Sequence, residues 1–148
     1  MRISAKGRYA LAAMTYMAQN YENGESITVI SISEKLGISK IYLEQVFTLL
    51  RHGGLVTSVK GAAGGYLLTR MPEKITGFDV LSAVELSLFE KTEPSVDKKA
   101  PEYDTAMQQL AFSPLDEAVK TALQQVTLSD LAQEIERHKK GQDYMFFI

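Results

Sequence analysis

The chain reads as mainly α-helical with one small β-hairpin, and three stretches carry that prediction. In Gly37-Ile38-Ser39-Lys40-Ile41-Tyr42-Leu43-Glu44-Gln45-Val46-Phe47-Thr48-Leu49-Leu50-Arg51, a tight turn is followed by a helix whose Leu43, Val46, Phe47 and Leu50 form one apolar stripe. Just before the turn, Val29-Ile30-Ser31-Ile32-Ser33-Glu34-Lys35-Leu36 makes a short amphipathic helix. After it, residues 55–60 and 66–69 are short strand-like runs on either side of Gly61-Ala62-Ala63-Gly64-Gly65, a hairpin with a flexible tip.

The totals bound the class. A chain of 148 residues forms one ordinary domain, or a small domain plus an oligomerisation arm, and 45% hydrophobic with 23% charged residues describes a soluble globular protein. No apolar run approaches a membrane span, and Met1-Arg2-Ile3-Ser4-Ala5-Lys6 lacks the apolar core of a signal peptide, so the expected location is cytoplasmic. There is no cysteine, which excludes disulfides, thiolate metal sites, iron–sulfur clusters and cysteine nucleophiles. His52 and His138 are the only imidazoles, and neither has a ligating or catalytic companion, so neither an enzyme nor a metal site is expected. The net charge of −2 is unevenly spread. Residues 1–70 hold eight Lys/Arg against four Glu, and the remainder holds eight against fourteen acids, so a basic first half precedes an acidic second half.

In chain order, residues 5–20 form a helix with Ala10, Ala13, Met14, Met17 and Tyr21 on one face. Arg2, Lys6 and Arg8 crowd its start, where cations oppose the helix dipole at a cost of roughly 0.3–1 kcal/mol. A phosphate strand lying against the helix start would offset that cost; a merely solvated basic end is the plain alternative. Asn20-Tyr21-Glu22-Asn23-Gly24-Glu25 is a loop. The helix, glycine-containing turn and second helix that follow make a helix-turn-helix pattern. In it Ser39 caps the second helix, while Lys40, Tyr42, Gln45 and Arg51 face outward, donors and a phenol suited to base edges and phosphates. Two packed helices of any small α-domain would look similar. His52-Gly53-Gly54 stops the second helix, and the hairpin beyond it reads as a wing with Lys60 at its base. The glycine-rich tip is not a phosphate loop, because no Lys-Ser/Thr follows and it joins two strands.

Thr76-Gly77-Phe78-Asp79 is a capping box opening a helix that buries Phe78, Leu81 and Val84. Residues 87–103 turn polar and read as a loop, with a helical lead-in over 103–110. Ser113-Pro114-Leu115-Asp116-Glu117 has the cap, proline and acids of a helix start, and Leu115, Val119, Ala122, Leu123 and Val126 then form an apolar stripe. That stripe is either an oligomer seam or a face packed on its own domain. Thr127-Leu128-Ser129-Asp130 is a second capping box, opening a helix to about His138. The closing residues 141–148 carry Tyr144, Met145, Phe146, Phe147 and Ile148, too apolar for a disordered tail. They are expected either to tuck into the core or dimer seam, or to serve as a peptide ligand for another protein.

Taken together, Met1-Arg2-Ile3-Ser4-Ala5-Lys6-Gly7-Arg8-Tyr9-Ala10, Ile38-Ser39 through Tyr42-Leu43-Glu44-Gln45, Gly54-Leu55-Val56 and Gly61-Ala62-Ala63-Gly64-Gly65-Tyr66-Leu67-Leu68 resemble the Rrf2 family of bacterial transcription regulators. The resemblance runs from the first residue through the wing and more loosely beyond. It implies a winged helix-turn-helix homodimer on double-stranded DNA, with a long helix crossing to the other protomer. By position, Ser39, Lys40, Tyr42, Gln45 and Arg51 match recognition-helix contacts, Lys60 a basic wing residue, and Arg2, Lys6 and Arg8 the basic N-terminus. Glu44 stands where a carboxylate helps discriminate among sites, by accepting from a cytosine amino group or repelling a misplaced phosphate. The three cysteines that hold an iron–sulfur cluster in the better-known branch have no counterpart in the loop here, so a cluster-free regulator is implied. The last five residues resemble the C-terminus of the cysteine-metabolism repressor (CymR-type) branch. That branch is linked to cysteine synthase (O-acetylserine sulfhydrylase), which serine acetyltransferase engages through a C-terminal isoleucine carboxylate. Ile148 has the chemistry for the same mode.

The reading is a mainly α fold with a β-hairpin wing: a winged helix-turn-helix domain over 1–86, a loop over 87–103, dimerisation helices over 104–140 and an apolar tail over 141–148. The function expected is a DNA-binding regulator acting on a pseudo-palindromic operator, a repressor of sulfur or cysteine genes switched by a partner protein such as cysteine synthase. A regulator of another regulon sensing a small molecule, or a protein-binding adaptor, are the alternatives.

Overall fold

The computed structural model describes residues 3–61 and 64–147, apart from the side chains of Tyr144, Phe146 and Phe147. Helix α1 (Ala5–Gln19) is capped by Ser4, whose Oγ accepts from the Gly7 amide at 3.3 Å. Ala10, Ala13, Met14 and Met17 are buried as the spacing predicts. Tyr21 is not: the helix ends at Gln19, the chain tightens into a 3-10 turn over Tyr21–Asn23, and the ring is left exposed, off the α-helical face.

Helices α2 (Val29–Leu36) and α3 (Lys40–His52) are joined by Gly37 at φ 68°, a left-handed residue that glycine adopts without a Cβ penalty. Ser33 closes the turn by donating its hydroxyl to the Ile38 carbonyl at 2.6 Å. Leu43, Val46, Phe47 and Leu50 are all buried, so the inward stripe of α3 is the predicted one. Strands β1 (Val56–Ser58) and β2 (Tyr66–Leu68) pair antiparallel with Val56 opposite Leu68. The wing has a third member: Ile27 bridges Tyr66 through reciprocal backbone hydrogen bonds of 2.9 and 2.8 Å, so the segment before α2 is sewn to the hairpin.

Helix α4 (Gly77–Val84) opens on the predicted capping box, with both Thr76 and Asp79 bonds formed. Val80, Leu81 and Val84 are its core residues. Phe78 is only half-buried, one position off that stripe, and it stacks edge-on to Phe89 at 4.9 Å with the Lys120 ammonium over its ring. The second capping box, Thr127 with Asp130, also forms, and it stands against the first. Gly77 N–H donates to the Val126 carbonyl at 2.8 Å, and Leu128 N–H donates to the Ile75 carbonyl at 2.9 Å. Two helix starts are thereby clamped side by side.

Three expectations are corrected. Ser113 is not a helix start. Helix α5 (Pro101–Met107) runs through a π-turn at Gln108–Phe112 into α6 (Ser113–Gln124), and Ser113 has helical φ/ψ. Proline inside a helix removes one hydrogen bond and crowds the carbonyl four residues back, and the wider π-turn just before Pro114 absorbs both effects. Second, the apolar stripe of α6 is divided. Leu115 and Ala122 are exposed, but Val119, Leu123 and Val126 are half-buried, with Leu123 and Val126 lying against Gly77 of α4. Third, helix α7 (Leu128–Phe147) does not stop near His138 but runs through Gly141 to Phe147, 20 residues in all. The expected separate tail is helical to Phe147, and Met145 is 77% exposed instead of tucked into the core; Ile148 lies outside the described residues. Leu128 is fully buried at the start of α7, whose first turns pack along α1. His138 lies 3.1 Å from Glu134, which also pairs with Arg137; that guanidinium's hydrogen bond holds the Glu134 carboxyl below its ordinary range. His138 is solvated, as expected, but lies within α7 and not at a helix end.

Two substitutions check these assignments. Gly141→Ala is expected to raise stability by about 0.5–1 kcal/mol, because Gly141 is an exposed helix-interior glycine with open space around its Cβ position. Thermal denaturation showing no gain would return residues 141–147 to a non-helical tail. Gly65→Ala is expected to cost roughly 1–3 kcal/mol. Gly65 sits at φ 112°, and an added Cβ would come within 2.8 Å of the Ile27 carbonyl oxygen.

Candidate nucleic-acid interface

The inward burial of α3 decides what faces out. Ser39, Lys40, Ile41, Glu44, Gln45, Thr48, Arg51 and His52 are exposed along one side. Helical neighbours three and four apart put Glu44 between Lys40 and Thr48, with Ile41 beside both Glu44 and Gln45. Lys40 and Glu44 form an ion pair at 3.8 Å, so the start of the face is locally neutral and its free positive charge sits further along, at Arg51. Ser39 is exposed but engaged, its Oγ accepting from the Tyr42 amide at 3.4 Å as the helix cap. Its hydroxyl proton remains available to a phosphate.

Tyr42 departs from the expected placement. It is half-buried and packs edge-on against Tyr9 of α1, with ring centroids 5.1 Å apart. It lies on the flank of α3, joining that helix to α1, instead of at the centre of the outward face. Two residues that sequence reasoning passed over belong to the face. Ile41 is 71% exposed, an apolar group suited to a thymine methyl. Thr48 is exposed too, with its Oγ1 donating back to the Glu44 carbonyl at 2.9 Å. Ile41 had a sequence signal, because an isoleucine out of register with the buried stripe has nowhere to go but outward.

The wing is coupled to this helix through its rings. Phe47, on the buried side of α3, stacks on Tyr66 of β2 at 4.7 Å and 30°. Lys60 is exposed just past β1, before the hairpin tip at Ala62 and Ala63, which lie outside the described residues. At the other edge, Lys6 is half-buried and Arg8 exposed, with Arg8 donating from Nη1 to the Ile3 carbonyl at 2.6 Å. Arg2 lies outside the described residues. The adverse placement of Lys6 and Arg8 at the start of α1 is answered within the chain itself. The Glu85 carboxylate accepts from the Ser4 amide at 2.9 Å, bringing negative charge to that helix start.

No described helix is long and apolar enough to cross a membrane, and among the described residues no group of three His, Asp or Glu side chains could hold a metal ion. The arrangement as a whole is a polar helix face, a basic hairpin on one side and a basic segment on the other. Such a surface fits a major groove and its flanking phosphates.

Comparisons with known proteins identify the family. Residues 3–134 match the Rrf2 family, described as iron-dependent transcriptional regulators. The HTH-type transcriptional regulators IscR of Klebsiella pneumoniae and Escherichia coli O1:K1 are each 49% identical over 88 residues, 60% of this chain. That match spans about half the length of those relatives, 53% and 54% respectively. Among solved structures, CymR (YrzC), the global cysteine regulator of B. subtilis, superposes with a TM-score of 0.73 at 33% identity, covering 90% of this chain and 98% of that one. T. potens IscR superposes at 0.72 and 34% identity, covering 99% and 96%. With its helix-turn-helix, its hairpin wing and its long closing helix, the chain belongs to the Rrf2 family of winged-helix transcriptional regulators.

Proposed function

We propose that the protein is a sequence-specific DNA-binding regulator that acts as a homodimer on a pseudo-palindromic operator. The observation that carries this is the outward face of α3, held rigidly by a buried stripe and flanked by the Lys60 wing. Dimerisation is supported by apolar residues beyond the domain core. Tyr103, Met107 and Leu110 are exposed at four- and three-residue spacing along α5 and the π-turn, Leu110 at 83%, and Leu115 continues outward on α6. This face is a better seam than Val119, Leu123 and Val126, which are half-buried on their own protomer.

Within that reading, the regulator works without an iron centre. The family is described as iron-dependent, but the residues present do not fit an iron–sulfur cluster, since the 148 residues contain no cysteine, and among the described residues no group of three His, Asp or Glu side chains could hold an iron ion. The segment preceding α5 offers carboxylates and lysines instead. A role as repressor of sulfur or cysteine genes draws support from the likeness to the global cysteine regulator. The IscR relatives favour a second reading, a regulator of a different set of genes. A cysteine synthase partner that takes the closing residues in extended form would require the last turn of α7 to unwind, because the chain is helical to Phe147.

Three outcomes are expected. Gln45→Ala should cost roughly 1–3 kcal/mol on the preferred site and relax specificity at one base pair. Lys60→Ala should weaken binding to every duplex about equally and lower the slope of log K against log salt by about 1. Fluorescence anisotropy over a salt series measures both. Uniform loss in the Gln45 variant would overturn its base-reading role, and a protein whose binding is indifferent to DNA would be an adaptor. For the partner, intact protein should bind cysteine synthase in competition with O-acetylserine, and protein lacking Ile148 should not. Equal binding by both would remove the tail from that role.

A further inference from the structure

The basic start of α1 is held in place by a carboxylate from 81 residues away. The Ser4 amide donates to Glu85 Oε1 at 2.9 Å, and the Ser4 hydroxyl donates to the same oxygen while accepting from the Gly7 amide. Glu85 is the C-cap of α4, where an acid faces the negative end of its own helix dipole. Lys6 and Arg8 lie in the first turn of α1, which contains no acid, and there they face a positive end. Each placement is unfavourable alone. Brought together, the carboxylate offsets both. Gly7 makes the approach possible, because a Cβ there would overlap the Glu85 carboxylate and come within 2.8 Å of Ile3 and 3.0 Å of Leu81.

The anchored segment adjoins the recognition helix. Tyr9, one residue past Arg8, packs on Tyr42 near the start of α3. Arg8 is folded along the same segment by its bond to the Ile3 carbonyl. Whatever fixes residues 3–8 therefore fixes, relative to α3, the backbone that carries Lys6 and Arg8.

We infer that Glu85 is a positioning residue for DNA binding: by pinning Ser4 it sets Lys6 and Arg8 in register with α3, so that they meet the phosphodiester backbone flanking the bases that α3 reads. This rests on the DNA-binding reading above. Glu85 touches no DNA and, being negative, would itself repel a phosphate, so its removal acts in the opposite sense to the loss of a repulsive charge.

The test is binding to a duplex that the wild-type protein selects from random-sequence DNA, followed across a salt series, with thermal melts to establish folding. Glu85→Ala is expected to bind about 3- to 10-fold more weakly near physiological salt, to lose about 1–2 units of salt slope, and to keep its base preference. Glu85→Gln, which keeps the acceptor and drops the charge, is expected to lose about half of that slope. Ser4→Ala combined with Glu85→Ala should be no worse than the more damaging single change, because both break one link. A folded Glu85→Ala protein with the wild-type slope, tighter binding or a changed base preference would overturn the inference. Should the alanine variant fail to fold, an unchanged slope in Glu85→Gln would do the same. If Lys60→Ala lowers the slope while the Glu85 variants do not, only the role of Glu85 falls. If wild-type protein selects no sequence and shows no salt dependence, the DNA-binding reading falls with it.

Discussion

Phe47 has no accessible surface, and its ring lies stacked on Tyr66 of the wing. Burying a side chain of that size contributes about 1.5–3 kcal/mol, and the ring pair adds about 0.5–1.5 kcal/mol. The consequence is geometric as much as energetic. With Phe47, Leu43, Val46 and Leu50 turned inward, α3 has one rotational setting, and the face carrying Gln45, Thr48 and Arg51 has no choice but to point out. The same ring ties the hairpin to that setting, so helix and wing present one surface. Ile27 extends the arrangement by bonding the chain before α2 to Tyr66, which links the wing to the helix-turn-helix through backbone as well as side chains.

A second constraint lies where two capping boxes stand against each other. Thr76 with Asp79 and Thr127 with Asp130 each satisfy orphan amides at a helix start. The backbone bonds between Gly77 and Val126 and between Leu128 and Ile75 join them. This junction returns the C-terminal half of the chain to the core, delivering Leu128 into it and laying α7 along α1. The run of α5, the π-turn and α6 lies between those two boxes in sequence, with the end of α6 packed on α4. Its outer face keeps Tyr103, Met107 and Leu110 exposed, as expected of a surface that a second copy covers.

Legibility in the sequence followed the range of the interaction. Helix caps, the Gly37 turn, the buried stripe of α3 and the hairpin were all readable, because each depends on residues within a few positions of one another. Misreadings came where a local signal was overruled by what adjoins it, near in the chain or far. Ser113-Pro114 has every local sign of a helix start, yet the preceding π-turn carries the helix straight through it. Gly141 has the look of a helix stop, but nothing beyond it turns the chain aside. Tyr42 reads as outward-facing, whereas Tyr9 holds its ring half-buried on the flank of α3.

The amino-acid sequence by itself determined the helix-turn-helix, the wing, the polar character of α3's outer face and the absence of thiolate chemistry. Propensity, capping and composition are local properties, and they need no knowledge of the fold. Only the tertiary structure decided that half of the α6 stripe is spent on α4 and that Glu85 holds Ser4. Those outcomes depend on which surfaces meet across 40 to 80 residues of chain, where the side-chain pattern of one segment carries no record of its partner.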